Sequence, residues 1–205
     1  MALVSTALLI PSAMGWLPMA RTEVLGFVTG GVCVWLVVRQ HMANWPVGLA
    51  NNVFFFVLFW QGRLFADAVL QVVYFVLGLW GWYHWKFGGK ERGELKVSRC
   101  TPGECMMMAI TLVVGTILLR EALLRVNGAA PLGDAVTTVL SLQAQVLLCR
   151  KRLENWFFWI AADLIYVPLY LSRGLPLTAA LYTLFLGMCL AGLRQWRRSW
   201  REQAA

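Results

Sequence analysis

The chain has 205 residues, 60% apolar and only 14% charged, with a mean hydropathy of +0.64 and a net charge of +8. A soluble domain carries about 45–50% apolar residues and about 25% charge, so disorder, a disulfide scaffold and an ordinary cytosolic enzyme are excluded. At roughly 20 residues per crossing, the chain reads as an all-α integral membrane protein of seven or eight helices.

Residues 1–22 form an apolar segment interrupted by Pro11, Gly15 and Pro18. No basic run precedes it, so it is not a signal peptide, and it reads as an interfacial or partial helix. Apolar runs between polar breaks then predict spans at 23–38, 46–61, 67–85, 104–124, 134–149, 155–171 and 176–193. Helix-start chemistry marks several of them. Thr101-Pro102-Gly103-Glu104 is a capping box with proline in the first turn. Asn44 with Pro46, and Leu175-Pro176, read as starts too. Pro168 removes a backbone donor inside the sixth span and is expected to kink it or loosen its last turns.

Counting Lys and Arg over alternate loops places 13 on one side, from Arg39, residues 86–99, residues 150–152 and residues 194–201. The other side holds four: Arg21, Arg63, Arg125 and Arg173. This bias puts the C-terminus in the cytoplasm, with residues 197–205 as a basic tail. The positive charge is explained by orientation, and no nucleic-acid partner is expected. Cys33, Cys149 and Cys189 lie in apolar runs; Cys100 and Cys105 face the reducing side and need no disulfide.

Sliding the chain by 111 residues aligns 23–85 with 134–196 without a gap. Arg39, Asn44, Trp45, Ala50, Leu58, Leu64, Ala68, Leu70, Gly81 and Trp85 meet identical residues, and Glu23 meets Asp134. Each copy holds three spans, and an odd number would invert the second copy. The span at 104–124, within residues 86–133, restores the orientation. The expected architecture is two parallel three-helix repeats joined by a linker helix (3+1+3), a transporter arrangement with a substrate site between the halves.

Polar residues inside spans are costly and usually face a cavity or a partner. Gln71, Tyr74, Gly78, Gly81, Trp82 and Trp85 form one stripe of the third span, and Asn155, Trp159, Asp163, Tyr166 and Tyr170 one of the sixth. The second span carries Gly48, Asn51 and Asn52 with Phe55 and Phe59; the seventh carries Thr178, Tyr182 and Phe185. Across the repeat Asn52 corresponds to Asp163, and Gln71 to Tyr182. Asp163 is the sharpest signal, because a carboxylate at depth needs a cation, from the substrate or from a side chain such as Arg120. Blander roles are assigned to Trp82, Trp85 and Trp196 as interfacial anchors, and to Gly26 and Gly30 as a close-contact pair. Of Gln143 and Gln145, two apart, only one can face the cavity. Met106–Met108 reads as lipid-facing or core filler, and His41 and His84 as solvated.

No catalytic site, cofactor site or metal site is expected. Gly88-Gly89-Lys90 lacks the P-loop spacing, no paired histidines exist, and no nucleophile–base set is evident. Without an ATP site or a chain of buried carboxylates, facilitated diffusion is the simplest mechanism.

The segments Asn44-Trp45-Pro46-Val47-Gly48, Leu64-Phe65-Ala66-Asp67 through Gln71, Tyr74 and Gly81-Trp82-Tyr83-His84-Trp85, and Glu154-Asn155-Trp156-Phe157-Phe158-Trp159 with Asp163 resemble the PnuC-type nicotinamide riboside transporters. The likeness covers residues 23–196; Phe65 departs from a frequent tyrosine. The resemblance implies a 3+1+3 fold in the bacterial inner membrane and uptake of a vitamin down its gradient, trapped by a cytoplasmic kinase. It places Gln71, Tyr74, Asn155, Trp156, Trp159 and Asp163 at the substrate. The repeat and the stripes add Asn52, Tyr166 and Tyr182. A flat pyridinium suits Trp and Tyr faces, and hydroxyl and carboxamide groups suit Asn and Gln. A phosphorylated substrate would want Lys or Arg in the stripes, which hold none. The expected function is therefore nicotinamide riboside uptake, by rocking of two halves about a central site. Thiamine or another vitamin is the alternative on the same scaffold, and a non-transporting membrane sensor or scaffold the alternative of another class. A homo-oligomer is compatible with the sequence.

Overall fold

A computed structural model describes residues 21–63, 65–125, 131–172, 174 and 176–204. The reading of residues 1–20, and the pairing of the Glu23 side chain with Asp134, lie outside the described residues. Seven α-helices follow in order: α1 (Arg21–Val38), α2 (Asn44–Gln61), α3 (Phe65–Phe87), α4 (Pro102–Arg125), α5 (Pro131–Cys149), α6 (Asn155–Ser172) and α7 (Pro176–Ala204). Among the described residues there is no β-strand, only an isolated bridge between Ser98 and Arg152.

The helices begin and end where the apolar runs do. The capping box before α4 forms in full: the Thr101 N–H donates to Glu104 Oε2 at 2.8 Å and the Glu104 N–H to Thr101 Oγ1 at 3.2 Å. Helix α6 continues through Pro168 to Ser172. The basic segment after residue 196 is helical, because α7 runs on past the predicted end at 193 to Ala204. Its Arg198 and Glu202 form an i,i+4 pair at 2.8 Å, favourable geometry for continuing the helix.

Helices α4 and α5 are individually long and apolar enough to cross a membrane, with mean hydropathies of 1.9 and 1.4. Helices α2 and α6 interleave their apolar residues with Asn44, Asn51, Asn52 and Gln61, and with Asn155, Asp163, Tyr166 and Tyr170. Helices α2 and α6 have 18 residues each, about 27 Å, close to the ≈ 30 Å hydrocarbon thickness.

The described residues fall into two compact units that divide between Trp82 and Tyr83, near the end of α3. In the first, α1 packs on α2. A Cβ on Gly26 would lie 2.3 Å from the Phe55 ring, whereas one on Gly30 would meet nothing. The close-contact role therefore belongs to Gly26 alone. Thr29 Oγ1 donates to Asn51 Oδ1 at 2.7 Å, bonding the two helices. In the second unit α4, α5, α6 and α7 pack in succession. Gln143 is buried and donates to the Met108 carbonyl at 2.8 Å and to Thr111 Oγ1 at 2.6 Å. It joins α5 to the linker helix α4. Met106 and Met107 are exposed on α4 and Met108 is buried.

The two copies share their turns residue for residue at the spacing of 111. Helix α1 ends at Val38 and α5 at Cys149; α2 ends at Gln61 and α6 at Ser172. Gln40 and Lys151 have φ of 55° and 52°, and both turns close with the 6→1 and 5→2 bonds of a Schellman motif. The next turn places Arg63 and Gly174 at φ 58° and 70°. Asn44 donates its side-chain amide to the His41 carbonyl at 2.8 Å, and Asn155 to that of Arg152 at 2.6 Å. The shared Asn is thus a turn-locking residue in both copies.

Candidate functional site

Near the middle of the second unit, α6 and α7 build a polar and aromatic cluster. Tyr166 and Tyr170, one turn apart on α6, stack at 5.8 Å, and Tyr182 of α7 lies 4.7 Å and 5.1 Å from their ring centroids. Phe185 meets Tyr182 edge-on at 5.9 Å. The Tyr166 hydroxyl faces the side-chain hydroxyls of Thr137 and Ser141 on α5. Thr137 Oγ1 donates to the Gly133 carbonyl at 2.8 Å.

Asp163, three residues before Tyr166, is only 5% exposed. The Cys189 thiol of α7 donates to its Oδ2 at 3.6 Å. Among the described residues no Lys, Arg or His makes an ion pair with it. Arg120, the cation considered from sequence, pairs instead with its neighbour Glu121. A thiol is a weak donor and leaves most of the carboxylate's bonding capacity unused.

Asn155 and Trp156 open α6, eight residues or about 12 Å along the helix from Asp163, and belong to a second cluster. Trp156 meets Trp196 edge-on at 5.5 Å, and Trp196 meets Trp85 at 5.8 Å. All three indoles are at most 1% exposed. The interfacial-anchor reading of Trp85 and Trp196 is therefore corrected: they fill a protein core, and only Trp82 is exposed. A Cβ on Gly192 would sit 2.4 Å from the Trp156 ring, so this glycine makes room for the indole. The Trp85 Nε1–H donates to the Leu148 carbonyl at 2.8 Å. Asn155 Oδ1 and Trp156 Nε1, one acceptor and one donor, have no hydrogen-bond partner among the described residues.

A strap, residues 88–101, closes over this second cluster. The Ser98 N–H donates to the Lys151 carbonyl at 3.1 Å and the Leu153 N–H to the Ser98 carbonyl at 2.8 Å. Lys151 is 8% exposed, donates Nζ to the Leu95 carbonyl at 2.9 Å and lies 4.5 Å from the Trp85 ring. Burial pulls its ammonium below its ordinary range, with Glu94 opposing. Glu154 binds Arg99 at 3.1 Å and the Cys100 N–H at 2.9 Å. Burial pushes this carboxyl up, but the hydrogen bonds from Cys100 and Arg99 outweigh it and hold it below the usual range. Burial and the neighbouring Glu154 push the Cys100 thiol up to about 12, so it stays protonated and unreactive. Sequence reading missed this strap. The signal was the pairing of Glu104 and Glu154 with a run of three basic residues, Arg150 to Arg152; Glu104 binds Arg150 at 3.1 Å and Arg152 at 2.9 Å.

The remaining predicted residues are half-buried. Trp159 lies on α6 between the two clusters. In the first unit, Asn52 lies on α2 and Gln71 and Tyr74 on α3. There Phe55 and Phe59 stack at 5.6 Å, at the positions of Tyr166 and Tyr170 in the repeat, and the interplanar angle is 24° in both pairs. The structure brings Asp163 together with Tyr166 and Tyr182 through α6 and α7, and sets Asn155 and Trp156 apart from them.

These features recur in known proteins. The chain is 27% identical to the nicotinamide riboside transporter PnuC of Escherichia coli K12, over 96% of this chain and 93% of that one. It is 29% identical to the riboflavin/roseoflavin transporter RibM of Streptomyces davaonensis, over 85% and 84%. A crystal structure of the vitamin B3 transporter PnuC superposes with a TM-score of 0.74 at 24% identity, covering 98% of this chain and 92% of that one, and so shares its fold. The sequence profile described as nicotinamide mononucleotide transporter matches residues 21–198. With seven described helices of the PnuC fold and a match over nearly its whole length, this chain is a multi-pass membrane protein of the nicotinamide mononucleotide transporter family.

Proposed function

We propose that the protein facilitates uptake of nicotinamide riboside across a bacterial inner membrane. The observation that carries the reading is Asp163, a buried carboxylate without a cationic partner among the described residues, beside three tyrosine rings. A flat pyridinium cation supplies the missing charge and stacks on aromatic faces, at roughly 0.5–2 kcal/mol per face. Its ribose hydroxyls match the tyrosine and carboxylate oxygens. The family profile is named for the mononucleotide, but the polar stripes hold no Lys or Arg to receive a phosphate. The riboside is the better fit, and several relatives are named for it.

Asn52, Gln71, Tyr74, Asn155, Trp156, Trp159, Asp163, Tyr166 and Tyr182 form the proposed substrate-contacting set. The C-terminus lies in the cytoplasm, as the 13-to-4 basic bias requires. A cytoplasmic kinase traps the substrate by phosphorylation, which keeps the gradient inward.

A second reading is favoured by the similarity to RibM: transport of riboflavin, a neutral flavin, on the same scaffold. Titration of the purified protein, followed by its intrinsic tryptophan fluorescence, separates the two. Saturable quenching by nicotinamide riboside, weakened about tenfold or more in Asp163→Asn, is the expected result. Quenching by riboflavin or thiamine alone, unchanged in that variant, would transfer the protein to another vitamin.

A further inference from the structure

The end of α7 carries Arg194, Arg197, Arg198 and Arg201 at spacings i, i+3, i+4 and i+7, which puts all four on one helix face. All four are exposed, and with Glu202 they line an open groove of about 320 Å³. Glu202 is taken by Arg198, whose Nε donates to it at 2.8 Å. Arg194, Arg197 and Arg201 make no ion pair among the described residues.

This face is held rather than free. Trp196 is buried against Trp85 and Trp156. Trp200, a turn further on, lies 5.6 Å from the Arg99 guanidinium of the strap. The tryptophans anchor one side of the helix and leave the arginines on the other. With 29 residues, α7 is about 43 Å long and outlasts the ≈ 30 Å hydrocarbon layer. Its last turns therefore stand at headgroup level.

We propose that this arginine face is a binding site for the phosphate of an anionic phospholipid, such as phosphatidylglycerol, in the cytoplasmic leaflet. Guanidinium forks match phosphate oxygens in geometry as well as charge. A cluster of four basic residues directly after a membrane helix lies within the inner-leaflet surface potential. The site rests on the cytoplasmic placement of the C-terminus and is independent of the substrate.

The test is lipid retention by the full chain, released from mixed phosphatidylcholine and phosphatidylglycerol nanodiscs and weighed by native mass spectrometry. The wild type should keep phosphatidylglycerol selectively. The variant Arg194→Gln/Arg197→Gln/Arg201→Gln should lose about tenfold or more of that preference. A control, Lys90→Gln/Arg92→Gln/Lys96→Gln, removes the same charge from the strap and should keep it. Equal loss in both variants, or in neither, would overturn the site. If inorganic phosphate displaces the lipid and protects the protein equally well in pure phosphatidylcholine, the ligand is a soluble phosphate and the lipid assignment is wrong. Should the triple variant not fold, Arg197→Gln and Arg201→Gln singly should each cost about threefold.

Discussion

The two three-helix copies have the same turns and end their first and second helices at matching residues, yet they bury very different amounts of chemistry. In the first copy the stacked pair is Phe55 and Phe59 and the nearby amide is Asn52. In the second the pair is Tyr166 and Tyr170, and a carboxylate, Asp163, replaces the amide. Gly26, Gly30 and Gly78 of the first copy become Thr137, Ser141 and Cys189 in the second. The hydroxyls and the thiol that surround Tyr166 and Asp163 are therefore present in only one copy of a shared frame. The frame survives because its turns depend on backbone bonds and one asparagine. Chemistry diverged on helix faces, where a side chain can change without moving the backbone.

The largest expected effect contrasts the paired tryptophans. Trp156→Ala empties a site packed by Trp196 and shaped by Gly192, and should cost about 3–5 kcal/mol, read as thermal unfolding in detergent. Trp45→Ala, at the matching position of the first copy and 3% exposed, should cost about 3 kcal/mol, the low end of that range. Equal losses would mean that the two cores are equally dense.

Making the second copy resemble the first comes next. Asp163→Asn should weaken nicotinamide riboside binding about tenfold or more, near 1.4 kcal/mol, with the melting temperature unchanged or raised. Wild-type affinity would remove the carboxylate from the site. Tyr166→Phe and Tyr170→Phe should each weaken binding by about threefold to tenfold, the worth of one neutral hydrogen bond.

The strap exists over the second copy alone and adds a pH dependence. Glu154 titrates below its ordinary value in the folded protein. Its contribution to stability is complete above the unfolded pKa of about 4.3 and is lost as pH falls through the lower folded value. Glu154→Gln should remove that acid-limb loss, measured as unfolding temperature against pH. The smallest effect concerns the second turn. Arg63→Gly gives the first copy the glycine that the second carries at Gly174. It should change stability by only a few tenths of a kcal/mol, because relief of a left-handed residue is offset by the freer unfolded chain. A loss above about 1 kcal/mol would mean that the Arg63 side chain holds the turn.

Much of this was legible beforehand. Helix ends at Val38, Gln61 and Cys149, and starts at Asn155 and Pro176, follow from local patterns: apolar runs, proline and the repeated Asn-Trp. The stripe holding Asp163, Tyr166 and Tyr170 follows from helical spacing, and Tyr182 was reached through the repeat. Other assignments depended on neighbours that lie far away in the chain. Trp85 and Trp196 look like interfacial anchors by position along their helices, but each indole is buried by the other and by residues 63 or more positions from Trp85. The spacing leaves open which of Gln143 and Gln145 is free to face a cavity until Met108 and Thr111 are seen bonded to Gln143.

The sequence by itself determined the class of protein, the count of described helices, most of their ends and the duplicated frame. Each of these follows from hydrophobic burial and local backbone chemistry, which act within a few residues. Only the tertiary structure decided which polar groups are spent on packing and which are left for a ligand. That choice depends on distance in space: a thiol beside Asp163, a glutamate beside Arg120, and a strap that turns Lys151 from a surface charge into a buried clasp.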